Sequence, residues 1–182
     1  MTKFLLVFFG GFMLVAFAEP IVATFGDGFE GWGNWKSDNS VVQFRHDPDI
    51  GHKSPGSLCV ILGPEHPMGK SVCFTKHLPV EPAKTYTGLV FVKTEGIDDA
   101  ASISLGFQGQ DEKKKFLGTE SLSTRIKGSQ VKAGEWKRLV YTVRVPSEGK
   151  WESVAQLLCT IGVNNSEKGK VWFDDFQFFV NQ

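Results

Sequence analysis

The sequence predicts an all-β fold, a sandwich or jelly roll, on three observations. Short stretches alternate apolar and polar residues, Gly- and Pro-rich turns part them at regular spacing, and no long run carries a clean helical period. Gly at 20 and Pro at 8 among 182 residues supply those turns. Twenty basic residues balance twenty acidic ones, which argues against a nucleic-acid binder. A hydrophobic content of 41% excludes wholesale disorder.

The chain opens on a targeting segment. Lys3 precedes the apolar run Phe4 to Val15, and Ala16-Phe17-Ala18 closes it before Glu19-Pro20. A basic start, an apolar middle and an Ala-x-Ala end are the parts of a secretory signal peptide. The apolar run is short for a membrane span, which needs about 20 residues. Residues 1–18 are therefore expected to be cleaved, leaving 19–182 as one exported domain, extracellular or periplasmic, with no later membrane segment.

The strands follow in order. Ile21–Phe25 is short and apolar, and Gly26-Asp27-Gly28 turns it. Val41–Arg45 is next, then a loop with Pro48, Gly51, Pro55 and Gly56. Ser57–Leu62 and Lys70–His77 flank a loop holding Pro64 and Pro67, which reads as a hairpin with a long connection. Thr85–Thr94 is apolar on both faces and should be central. In Ser102–Gln108, Ile103, Leu105 and Phe107 share one face while Ser104, Gly106 and Gln108 share the other. Asp111–Lys115 is a charged, solvated turn. Glu135–Val145 alternates again and ends at Pro146, which cannot donate to a ladder. Val154–Gly162 turns Leu157, Cys159 and Ile161 to one side. Lys170–Val180 closes the fold. Strict alternation along it puts Trp172, Asp174, Phe176 and Phe178 on one face.

Three cysteines remain, so at least one thiol stays unpaired within the monomer. Two readings stand. Export permits a disulfide between Cys59 and Cys73 on neighbouring predicted strands; alternatively all three are small buried apolar residues. No CxxC or Cys/His spacing suggests zinc.

Five segments, in order along nearly the whole mature chain, resemble the jelly-roll carbohydrate-binding modules of families four, nine and twenty-two, within the galactose-binding-like β-sandwiches. They are Phe25-Gly26-Asp27-Gly28-Phe29-Glu30-Gly31-Trp32, Gly51 to Leu58, Pro79 to Tyr86, Ala133-Gly134-Glu135-Trp136-Lys137, and Val171-Trp172-Phe173-Asp174-Asp175-Phe176. The resemblance implies a structural Ca²⁺ held by Asp174, by an acid of the opening segment and by backbone carbonyls around Lys53. This chain has Gly26 where the family places that acid, so Asp27 or Glu30 would have to substitute. Calcium takes six to eight oxygens, several of which carbonyls can provide.

The resemblance also implies binding of a poly- or oligosaccharide. Sugars need flat aromatic faces and planar polar groups. The candidate platforms are Trp35 and Trp151, both set among polar residues, and the candidate polar groups are Gln108, Gln110, Gln156 and Arg138. Trp32, Trp136 and Trp172 are expected in the core. The four histidines lie in loops or at a strand end, where they are expected to be solvated. Asn164-Asn165-Ser166 forms a glycosylation sequon. The chain carries no nucleophile elbow, HExxH motif or phosphate loop, so a non-catalytic binding module leads. The alternatives are an adhesion module that binds a protein partner through the same fold, and a small polysaccharide lyase or hydrolase.

Overall fold

The computed structural model describes residues 19–118 and 122–181, so the leader expected at 1–18 lies outside the described residues. Period-two alternation is realised as eleven strands among the described residues. These are β1 (Ile21–Ala23), β2 (Gly33–Lys36), β3 (Val42–Asp47), β4 (Ser57–Leu62), β5 (Val72–Pro79), β6 (Thr85–Glu95), β7 (Ser102–Gln110), β8 (Leu122–Lys127), β9 (Lys137–Arg144), β10 (Gln156–Asn164) and β11 (Gly169–Val180). They form two antiparallel sheets. The first runs β3-β4-β11-β6-β9 with β1 added beside β11; the second runs β2-β5-β10-β7-β8. No described helix is long and apolar enough to cross a membrane.

The inner faces meet in one core. Leu58, Val60, Val90, Val92, Phe173 and Phe176 come from the first sheet and Phe74, Ile103, Leu105, Phe107, Leu157 and Ile161 from the second, all fully buried. Burying each such side chain stabilises the fold by about 1.5–3 kcal/mol. Trp32 closes one end, edge-on to Phe176 at 4.9 Å and to Phe25 at 6.0 Å. β6 lies between β11 and β9, as its two apolar faces require.

Three expectations change. Ser57–Leu62 and Lys70–His77 are not a hairpin: β4 pairs with β3 and β11 in the first sheet, and β5 with β2 and β10 in the second. The connection between them crosses from one layer to the other. Cys59 and Cys73 consequently belong to different sheets, and all three cysteines are free thiols.

The closing strand also departs from strict alternation. On β11 the partners Asp174 and Gln177 are three positions apart, while on β6 Phe91 and Leu89 are only two apart. Asp175 takes a left-handed φ of 48° within this bulge. A bulge adds one residue and inverts the alternation beyond it. Trp172 and Asp174 therefore face outward, whereas Phe176 and Phe178 join the core.

Candidate functional site

The outer face of the second sheet carries a cleft of about 660 Å³. Pairing register builds its floor in rows. His77, Leu158 and Gln108 lie side by side, then Thr75, Thr160 and Gly106, then Cys73, Gly162 and Ser104, with Trp35 opposite Cys73 on the edge strand. These positions face out because their neighbours Phe74, Ile161, Leu105 and Phe107 face the core. Gly162 keeps the floor bare, since a Cβ there would meet the Val72 carbonyl oxygen at 2.3 Å.

Two large aromatics stand exposed at the cleft. Trp35 is 53% exposed on β2, and Phe116 is 50% exposed where its backbone bridges Gln110 beyond the lysine turn. Two amide oxygens of lining residues, Gln110 Oε1 and Asn164 Oδ1, are buried and accept no hydrogen bond among the described residues. The titratable side chains in the lining are His77 and Cys73. Burial pushes the Cys73 thiol up to about 12, which keeps it neutral.

Of the sugar-contact residues predicted from sequence, this cleft brings together Trp35, Gln108 and Gln110. Gln156 borders them, but its Nε2 donates to the Asp111 carbonyl at 3.3 Å and it does not line the cleft. Arg138 belongs to the other sheet, opposite Phe91 on β9. Trp151 is no platform: it is 6% exposed and packs in the core beneath Gly109. Phe116, Asn164, Thr75 and His77 were missed. Nothing in the sequence distinguishes an exposed Phe after a lysine run from a core anchor, and Asn164 carries no signal beyond its sequon. Ser166 of that sequon is 1% exposed, its hydroxyl accepting from the Asp98 N–H and lying within hydrogen-bond reach of Asp98 Oδ2 and the Lys168 carbonyl.

The residues expected to hold calcium do not fit that role. Asp174 is 1% exposed, and both its oxygens accept from N–H groups, Oδ2 from the His52 backbone and Oδ1 from the Asp175 backbone, each at 2.6 Å. Asp175 Oδ2 accepts from His52 Nδ1 at 2.7 Å and faces the Lys53 ammonium at 3.8 Å. His52 is fixed there by stacking on Phe91 at 3.7 Å and by the edge of Trp136. Among the described residues no three His, Cys, Asp or Glu side chains gather as a metal site. Glu30 instead offers its carbonyl to Lys76 Nζ at 2.6 Å. The carbonyl of Phe25, just before Gly26, accepts from His46 Nε2, also at 2.6 Å. Protein donors thus reach both Asp174 oxygens and the Phe25 carbonyl. Burial pushes the Asp174 carboxyl up to about 6, against the lowering effect of its two N–H donors.

The histidines are more engaged than loop positions suggest. His46 and His52 are bonded as above, and His66 is 2% exposed with Nδ1 donating to the Val41 carbonyl at 3.2 Å. Trp172 is buried as expected, at 2% exposed, but on the outer side of the first sheet, where its Nε1 donates to Asp47 at 2.9 Å. Trp136 is half-buried on that same side, against His52.

No family model and no curated protein matches the chain. Solved structures do. The second family-22 xylan-binding domain of Paenibacillus barcinonensis Xyn10C aligns over 88% of this chain and 99% of its own, with TM-score 0.62 and 15% identity. The TmCBM61 module in complex with β-1,4-galactotriose aligns over 84% and 90%, with TM-score 0.56 and 15% identity. The enzymatically active domain of tailspike protein 4 from bacteriophage CBA120 has TM-score 0.63 at 12% identity over 84% of this chain, which spans only 20% of that domain. The fold is that of the β-sandwich carbohydrate-binding modules.

Proposed function

We propose that the chain is an exported, non-catalytic module that binds a neutral poly- or oligosaccharide in the cleft of its second sheet. The observation that carries the reading is the cleft itself. It pairs two exposed aromatic faces with amide side chains, over a floor of threonine, serine and glycine. Aromatic faces suit the apolar side of a pyranose, and amides and hydroxyls suit its rim. Fold neighbours that bind xylan and β-1,4-galactotriose support a carbohydrate partner in general. A non-catalytic role is supported by the lining, whose titratable groups are one exposed histidine and one neutral thiol, with no carboxylate pair to share acid and base work. Export rests on the leader at residues 1–18.

The test is retention of residues 19–182 on insoluble xylan and galactan, followed by calorimetry with soluble oligosaccharides. Wild-type protein is retained and Trp35→Ala is not, while the variant's unfolding midpoint matches the parent. A folded protein that binds no glycan on a broad array would overturn the reading and direct attention to protein partners.

A further inference from the structure

We propose that one flank of the sandwich is a second binding site, which takes an acidic polysaccharide of the polyuronate class. The site is separate from the cleft and does not depend on the reading of the cleft given above.

The flank is the side where the last strands of the two sheets run close together, β8 from the second sheet and β9 from the first. Gln130, in the 3₁₀ turn Gly128–Gln130 after β8, ties them. Its Oε1 accepts from the Lys127 N–H at 2.8 Å, and its carbonyl accepts from Lys137 Nζ at 3.0 Å. From Leu122 to Arg144 the sequence holds six cations and one carboxylate, in a chain whose twenty cations balance twenty acids. Three of its four arginines are here, Arg125, Arg138 and Arg144. All six cations are exposed. Among the described residues only Lys132 of the six has a carboxylate partner, Glu135 at 3.5 Å. Like charges gathered on one flank repel one another, and a bound polyanion relieves that repulsion.

Pairing register decides the shape of the partner. Arg125 lies opposite Ser104 and Lys127 opposite Ser102, on the outer face of the second sheet. Arg138 lies opposite Phe91 and Arg144 opposite Thr85, on the outer face of the first, because Leu139 and Val143 face the core. The cations therefore straddle the edge, and the two arginines of β9 are about 20 Å apart along it. A flat membrane meets one side of such an edge, whereas a flexible chain lying along it meets both. Single-stranded nucleic acid also bends, but it binds on aromatic platforms. The aromatics of this segment are not free for that: Tyr141 is half-buried and stacked on Phe107 at 6.2 Å, and Trp136 lies against His52. A guanidinium takes a carboxylate through two parallel N–H bonds, so an arginine-rich edge suits a polymer with a carboxylate on each sugar.

The experiment is affinity electrophoresis of residues 19–182 in gels carrying polygalacturonate or its carboxyl-reduced, neutral form, across a salt series. The variants are Arg125→Gln with Lys127→Gln, Arg138→Gln with Arg144→Gln, all four together, and Trp35→Ala. Every changed side chain is exposed, so the variants should fold, and matching unfolding midpoints check this. Polygalacturonate should retard the wild type far more than the neutral polymer does, and the effect should fall steeply as salt rises. Each paired substitution should weaken binding about tenfold and the fourfold variant should lose it, while Trp35→Ala binds polygalacturonate like the parent. Retardation that survives the fourfold change, or that Trp35→Ala abolishes, would overturn the flank as the site. Displacement by duplex DNA or phosphatidylserine vesicles at lower charge concentration than by free polygalacturonate would overturn the ligand class. A wild type that ignores polygalacturonate would overturn the proposal, leaving these cations as guards against strand pairing and the cleft reading untouched.

Discussion

Gly109→Ala tests the contact that makes Trp151 a core residue. A Cβ at this position would lie 2.2 Å from one carbon of the Trp151 ring and 2.5 Å from another. Carbon atoms in ordinary contact sit about 3.5–4.0 Å apart, so the ring must withdraw by more than about 1 Å. It has little room, being 6% exposed in a short 3₁₀ turn (Gly149–Ser153) closed by Val154 N–H donating to the Trp151 carbonyl at 3.0 Å. Overpacking of this kind costs about 1–3 kcal/mol. For a domain of this size that corresponds to a fall in unfolding temperature of about 3–10 °C. Thermal and urea unfolding, read by circular dichroism, give the number. Adding Trp151→Leu should relieve the clash, so the double variant is destabilised by less than the sum of the singles, with a coupling of about 1 kcal/mol or more. Because Gln110 follows Gly109 directly, glycan retention should weaken along with stability. A Gly109→Ala midpoint within about 1 °C of the parent would refute the reasoning, since the ring would then have space to move.

Three further outcomes are expected. Trp172→Phe removes the N–H that Asp47 accepts at 2.9 Å and should cost about 1.5–3 kcal/mol near neutral pH by urea titration. Burial pushes the Asp47 carboxyl up, but the Trp172 and Asp49 N–H groups and the Arg45 guanidinium outweigh it, so its folded value lies below 3.8. That stabilisation is present above the unfolded value and is lost as pH falls through the folded one, so the Trp172→Phe deficit should shrink in acid. Asp174 has the opposite sign: held at about 6 against 3.8 when unfolded, it binds more protons in the folded state between those values. Stability should therefore fall as pH rises through that window, and Asp174→Asn should flatten the slope in urea midpoints taken across it. Chelator or excess calcium should leave the unfolding midpoint unchanged by differential scanning fluorimetry, and a rise of several degrees with calcium would show that the ion displaces the His52 contacts.

The fold was legible because alternation is local. Ile103, Leu105 and Phe107 had to face one way once β7 existed, and their burial fixed Ser104 and Gln108 on the other side. Which sheet a strand joins is not local. β4 and β5 are joined by a long loop, and nothing in either strand states that the chain changes layer there, so the hairpin and the Cys59–Cys73 pairing fail together. β2 and β8 were passed over because edge strands bury little: all four residues of β2 are exposed, and the pattern that reveals a strand requires a buried face. The same limit hid the site. Trp35 and Trp151 have similar polar neighbours in sequence, yet one stands on an edge strand and the other fills the space left by a glycine more than forty residues away. Arg138 alternates correctly on its strand, but that strand belongs to the opposite sheet.

The bulge at Asp175 shows how one inserted residue divides the work of the closing strand. Phe173 pairs opposite Val92 and faces the core, so without an insertion Asp175 would follow it inward and Phe176 and Phe178 would face outward. A buried carboxylate without partners costs far more than the bulge, and two phenylalanines would lose their place in the core. The left-handed residue resolves both conflicts at once. Phe176 turns in against Trp32, and Asp174 and Asp175 turn out beneath the loop that carries His52 and Lys53. That loop reaches the strand from more than a hundred residues away in sequence, so these contacts join the early chain to its end. They do so with N–H donors and an ammonium, using the carboxylates the resemblance had reserved for a cation.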